Sequence, residues 1–216
     1  MDFAAARRTM VDSQIKTGAI TDPVVVDAMG AVPRENFLPE ARRAVAYVDE
    51  NIAVGKGRFV MDPLILAKLL QIAEIQPTDK ALVVGANGGY SAAVLARMAS
   101  RVVALDSDRD LTVSASSAFA MSGIANIQVV TGDLAAGHAA GAPYDVIVIG
   151  GAVAEIPGSL KLQLADGGRL VAIVRDGPMG HGVVIERVGA TFGVREVFDA
   201  VIPVLPGFEK LPKFVF

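Results

Sequence analysis

The stretch Ala81-Leu82-Val83-Val84-Gly85-Ala86-Asn87-Gly88-Gly89-Tyr90, running on through Ser91 and Ala96 to Val102-Val103-Ala104-Leu105-Asp106, constrains this chain more than any other. Apolar residues 81–84 without polar alternation suit a strand buried on both faces. The glycines permit a tight turn, and the Ala/Leu/Val run after them returns as a helix. A second apolar strand then ends in an acid. Ligands of open α/β sheets bind outside the carboxyl ends of the strands, so this order of elements forms half of a nucleotide-type crevice.

The rest of the chain alternates in the same way. The pattern predicts strands at 80–84, 101–106, 127–131, 144–149, 169–175, 182–188 and 195–202, with helices at 89–99, 108–122 and 157–165. Such alternation implies an α/β fold with a mostly parallel sheet and helices on both faces. Only residues 188–193 separate the last two strands, so the sheet should finish in an antiparallel hairpin.

Ahead of the sheet the pattern predicts short helices within 3–17, at 24–29 after Asp22-Pro23, at 40–46, and a longer amphipathic one at 64–75. Tyr47 to Pro63 changes character, with a polar Asp49-Glu50-Asn51 and a Gly55-Lys56-Gly57 turn, and reads as a flap or lid. At 216 residues one core is expected. Residues 1–76 would form a helical extension and lid, and 77–216 the α/β core.

A net charge of −3 with scattered basic residues gives no footprint for nucleic acid or an anionic membrane. Hydrophobic residues reach 52%, yet every long apolar run is broken before the roughly 18 residues that a membrane helix needs. The amino terminus lacks the order of a secretory signal, which makes the cytoplasm the default expectation. The absence of cysteine excludes disulfides and thiolate chemistry.

A dinucleotide fingerprint needs glycines at its first, third and sixth positions, whereas counting from Gly85 gives Asn87 third and Tyr90 sixth. The turn therefore suits a ligand without a pyrophosphate. Asp106 ends the second strand, where a carboxylate can accept hydrogen bonds from two ribose hydroxyls; its alternative role is to cap the helix starting near Asp108. Asp133, after the third strand, could accept from an adenine amino group. His138 and His181 lie apart from clustered acids and make no metal site, and no serine lies in a nucleophile elbow.

Beyond these features the chain resembles the protein-L-isoaspartate O-methyltransferase family, which uses S-adenosylmethionine (SAM). The likeness runs through Arg8-Thr9-Met10-Val11 with Gln14, Val32-Pro33-Arg34-Glu35-Asn36-Phe37-Leu38-Pro39, Ala46-Tyr47-Val48-Asp49, Gly89-Tyr90, Gly132-Asp133, Tyr144-Asp145, Glu155-Ile156-Pro157, Gln163-Leu164 and Gly167-Gly168-Arg169-Leu170-Val171.

The resemblance implies a Rossmann-like methyltransferase sheet, SAM as cofactor and a damaged protein or peptide as substrate, methylated on an isoaspartyl carboxylate. It places the cofactor at Gly85, Ala86, Asn87, Gly89, Asp106, Ser107, Gly132, Asp133, Leu134 and Gly150. It assigns no catalytic side chain, but points to Val60, Met61 and Asp62 in the lid.

The chain departs from the family pattern at Val83, where a glutamate is usual, at Asn87 and Leu134, where glycines are, and at Met61-Asp62-Pro63, which aligns with a Ser-Gln-Pro or Ser-Ala-Pro triplet. Two alternatives follow from these departures: a family member acting as a non-catalytic binding protein, and a SAM enzyme with a different acceptor.

Overall fold

Aspartates open most of the helices. In the computed structural model, which describes residues 1–210, Asp2 caps α1 (Phe3–Met10) by accepting from the Ala5 N–H at 2.9 Å. The chain continues in a π-helical turn, Val11–Ile15. Asp22 caps α2 (Pro23–Ala31), with Pro23 in the first turn. Two 3₁₀ segments, Arg34–Phe37 and Glu40–Val45, lead to a hairpin of β1 (Ile52–Gly55) and β2 (Arg58–Val60). Asp62 then caps α3 (Pro63–Ile72). Residues 211–216, the end of the expected core, lie outside the described residues.

From there the chain enters β3 (Lys80–Val84), α4 (Tyr90–Leu95), β4 (Arg101–Asp106), α5 (Arg109–Met121), β5 (Ile127–Thr131), β6 (Tyr144–Val153), α6 (Gly158–Lys161), β7 (Leu164–Val174), β8 (Gly180–Val188) and β9 (Thr191–Ala200). The seven strands from β3 onward form one sheet in the order β5-β4-β3-β6-β7-β8-β9. It is parallel from β5 to β7 and antiparallel at β7-β8-β9. The chain moves outward from β3 to β5 on one side and resumes on the other at β6. The strand order therefore reverses between β3 and β6, and a crevice opens there at the strands' carboxyl ends.

Successive side chains of the central strands feed two cores. Ala81, Val83, Val102, Ala104, Val146 and Val148 join the cluster beneath α1 to α5. Leu82, Val84, Val103, Leu105, Ile147 and Ile149 join the one covered by α6 and the carboxyl-terminal segment. Period-two alternation with both faces apolar explains the unbroken hydrophobic runs in the sequence. Val83, fully buried, packs in the first cluster.

Some elements differ in extent from the sequence pattern. The helix expected at 157–165 contracts to α6, because Leu164 already pairs with Tyr144 as the start of β7. Gln163 fixes that early exit: its amide donates to the Ala136 carbonyl at 2.7 Å and accepts from the His138 N–H at 2.9 Å. The expected helix 89–99 is α-helical only over α4. β6 runs past its expected end at 149, with an irregular register between Val148 and Ala152.

Candidate active site

The glycine turn after β3 is shaped by positive backbone angles: φ is +76° at Gly85, +48° at Asn87, +90° at Gly88 and +103° at Gly89. Asparagine occupies this left-handed region more readily than other side-chain-bearing residues. A Cβ at Gly89 would press on the Phe119 ring, and one at Gly85 would stand 2.7 Å from Leu205.

The turn is tied to Asp106, which is 1% exposed at the end of β4. One carboxylate oxygen accepts from the Asn87 N–H at 2.9 Å, and the other from the Asp108 N–H at 3.1 Å. Asp108, not Asp106, caps α5, receiving the N–H groups of Asp110 and Leu111.

Asn87 closes the opposite side. Its Nδ2 donates to the Gly150 carbonyl at 2.7 Å, bridging from the β3 turn to β6, while its buried Oδ1 has no partner. A Cβ at Gly150 would collide with the Gly85 carbonyl oxygen, so glycine is required where the two strand ends meet. Gly85, Ala86, Asn87, Gly89, Asp106 and Gly150 are thus gathered around one crevice. Ser107 stands on its rim.

The third strand end contributes differently. Gly132 donates its N–H to the Asp106 carbonyl at 3.0 Å and holds β5 against β4. Asp133 is exposed, and its carboxylate accepts from the Ala135 N–H at 2.9 Å. Leu134 turns into the second core.

The β1-β2 hairpin covers the crevice. Phe59, Val60 and Met61 line it together with Ala86, Asn87, Tyr90 and Gly150. Asp62 directs its carboxylate to the Ile65 N–H at 3.1 Å, and its own N–H donates to Asn51 Oδ1 at 3.0 Å. It therefore serves as a helix cap at the crevice edge.

Arg34, fully buried, anchors the lid from below. Its Nε donates to the Ala46 carbonyl at 2.7 Å, its Nη2 donates to the Met61 carbonyl at 2.8 Å, and the guanidinium lies 4.7 Å from the centre of the Tyr90 ring. Burial pushes the Arg34 pKa down and the Tyr90 phenol up.

Two cations on the hairpin complete the closure. Arg58, 4% exposed, donates from Nη2 to Ser107 Oγ at 2.6 Å and lies 3.5 Å from Asp106 Oδ1. Lys56 pairs with Asp108 at 2.6 Å and with Asp110 at 2.8 Å. The hydrogen bond to Asp108 raises the Lys56 pKa, and the same bond lowers that of Asp108.

These contacts leave two cavities of ≈10 Å³ each under the lid, at the limit for one water molecule. The sequence reading did not anticipate Arg58 or Leu205. A signal for the former was present, since Lys56 and Arg58 alternate as Asp106, Asp108 and Asp110 do. Among the described residues no group of three or more His, Cys, Asp or Glu side chains could hold a metal ion, and no helix is long and apolar enough to cross a membrane.

Comparison with known proteins is consistent along the chain. The family model described as protein-L-isoaspartate(D-aspartate) O-methyltransferase matches residues 5–193. The chain is similar to the protein-L-isoaspartate O-methyltransferase of Roseiflexus sp. (strain RS-1), at 36% identity over 96% of this chain and 95% of the relative. It is also similar to protein-L-isoaspartate O-methyltransferase 1 of Rhodopseudomonas palustris (strain HaA2), at 43% identity over 78% of this chain and 69% of that one.

Two solved structures share the fold. One, a protein-L-isoaspartate O-methyltransferase, superimposes with a TM-score of 0.82 at 22% identity, covering 93% of this chain and 66% of the other. A Plasmodium falciparum structure, described as a putative enzyme of that name in complex with S-adenosyl-L-homocysteine, gives 0.79 at 19% identity, covering 92% of this chain and 97% of the other.

Proposed function

This chain belongs to the protein-L-isoaspartate(D-aspartate) O-methyltransferase family, and we propose from that premise that it transfers a methyl group from SAM to the free carboxylate of an isoaspartyl residue in a damaged protein or peptide. The observation that carries this reading is the pairing of a buried acid at the end of β4 with the left-handed turn after β3, within a family match covering residues 5–193.

The donor set suits the cofactor. Asp106 keeps lone pairs beyond those given to the Asn87 and Asp108 N–H groups, and these can receive ribose hydroxyls. Asp133 on the rim can meet an adenine amino group, and the Gly85–Gly89 turn lets backbone approach a ligand closely. When bound, SAM supplies an electrophilic methyl group on a sulfonium sulfur.

The protein's own contribution is alignment and dryness. A carboxylate with a pKa of about 4 is ionised at neutral pH and needs no general base, which agrees with a crevice lined by Phe59, Met61, Tyr90 and Gly150 and by no histidine. Burying the approach of oxygen to methyl under the hairpin excludes water and fixes the geometry. Arg34 holds that cover through the Met61 carbonyl.

Met61 favours a second reading. A thioether offers no hydrogen bond to orient a carboxylate, so an acceptor other than an isoaspartyl group would suit this edge better. Titration calorimetry with SAM followed by methylation of an isoaspartyl peptide and its normal aspartyl twin decides the matter. The proposal expects binding and preferential labelling of the isoaspartyl peptide. Binding with equal background labelling of both peptides would transfer the case to another acceptor, and absence of binding would end both readings.

A further inference from the structure

The crevice that would take the cofactor is filled by the protein itself, and the filling comes from one detachable element. The β1-β2 hairpin forms its own two-stranded sheet and shares no ladder with the seven-stranded one. Its turn is built from left-handed residues, with φ of +106° at Gly55, +52° at Lys56 and +72° at Gly57.

Side chains fasten this hairpin over the strand ends. Arg58 reaches Ser107 and the Asp106 carboxylate inside, while Lys56 reaches Asp108 and Asp110 outside. The outer contact is 62% exposed on the lysine side and open to screening, whereas the inner pair is almost wholly buried.

The inner contact is also incomplete. Arg58 Nη1 is buried without a partner, and its Nη2 stands 3.5 Å from Asp106, beyond a good hydrogen bond. Opening the hairpin would hydrate that orphan donor and free Asp106 Oδ1, which otherwise holds only the Asp108 N–H. The closed arrangement therefore carries a desolvation cost that opening relieves. With the hairpin down, ≈10 Å³ cavities remain where a ligand of nucleoside size needs roughly 300 Å³ or more.

We propose that the β1-β2 hairpin is a latched lid in which Arg58 occupies the ribose-binding position at Asp106, so that SAM enters only when Arg58 leaves. The inference rests on the functional reading above and adds a gate to it. Apparent affinity is then the intrinsic affinity multiplied by the fraction of molecules with the latch open, and weakening the latch raises it.

The test measures S-adenosylhomocysteine binding by calorimetry to the wild type, Arg58→Ala and Lys56→Ala, with amide exchange of residues 52–61 recorded on the ligand-free proteins. Arg58→Ala should bind about 10-fold tighter and Lys56→Ala about 2-fold tighter, each with faster exchange in the hairpin. Lys56→Ala removes only an exposed side chain and serves if Arg58→Ala folds poorly. Raised ionic strength should tighten binding to the wild type and leave Lys56→Ala nearly unchanged, because the exposed Lys56 contacts are the screened ones. Unchanged or weaker binding in both variants overturns the latch while leaving the methyltransferase reading intact. Absence of binding by all three proteins overturns both.

Discussion

Asn87 offers the most direct test of how the glycine turn is held. It stands at φ +48°, donates Nδ2 to the Gly150 carbonyl at 2.7 Å and buries an unpartnered Oδ1. Replacing it by glycine keeps the backbone angle free of strain but deletes the bridge. Leaving the buried Gly150 carbonyl without its partner costs about 1–3 kcal/mol. The greater freedom of glycine in the unfolded chain adds about 0.4–1 kcal/mol, and removing the orphan Oδ1 returns about 1 kcal/mol. Asn87→Gly should therefore destabilise the fold by about 0.4–3 kcal/mol.

Asn87→Ala loses the same bridge and the same orphan oxygen, and it lacks the polar side chain that eases asparagine's left-handed angle, which costs alanine about 1–2 kcal/mol. It should fall about 0.5–1 kcal/mol below Asn87→Gly. Equilibrium urea unfolding resolves these differences, and thermal melts should follow at about 2–4 °C per kcal/mol for a chain of this size. If Asn87→Ala matched or exceeded Asn87→Gly, the left-handed angle would be refuted; if both matched the wild type, the bridge to Gly150 would be.

Arg34→Met leaves the buried Ala46 and Met61 carbonyls without their donor, so it should lower stability by about 2–4 kcal/mol in urea titrations, with Arg34→Lys recovering only part of the loss. The pKa values of all three tyrosines are raised by burial, Tyr144 to about 12. Folded pKa values above the unfolded one mean that this contribution to stability is complete below about pH 10 and is lost as pH rises toward the folded values. Phenolate absorbance should thus stay near zero through pH 10 and then appear together with unfolding; early titration of any tyrosine would contradict the burial. Lys56→Ala should raise the Asp108 pKa part of the way to 3.8, because the Leu111 and Asp110 N–H groups remain. Since that pKa is depressed in the fold, its contribution holds above pH 3.8 and fades as pH falls below, and carboxyl NMR titration reads the shift directly.

The central order of elements was legible because it is written locally. Apolar runs with no alternation mark strands covered on both faces, and aspartate before proline marks the helix start at Asp22. Asp106 was readable as a strand-end acid, and the structure puts it against the turn that the glycines predict. Element ends were less legible where tertiary contacts overrode propensity. Gln163, reaching Ala136 and His138, ends the helix after one turn and commits Leu164 to the sheet.

What only the tertiary structure decided is how the crevice is filled. Arg58 and Asp106 lie 48 positions apart in the sequence, and Leu205 reaches Gly85 from the carboxyl-terminal segment. No local pattern encodes such distances; they arise when the strand order reverses between β3 and β6 and brings separate loops to one edge. Sequence by itself determined the sheet, its acid-tipped strands and the family, because periodicity and motif are properties of neighbouring residues. The closure of the site, with Asn87 on Gly150 and Arg58 on Asp106, was decided by long-range packing, where burial and unpaired donors set which contacts hold and which give way.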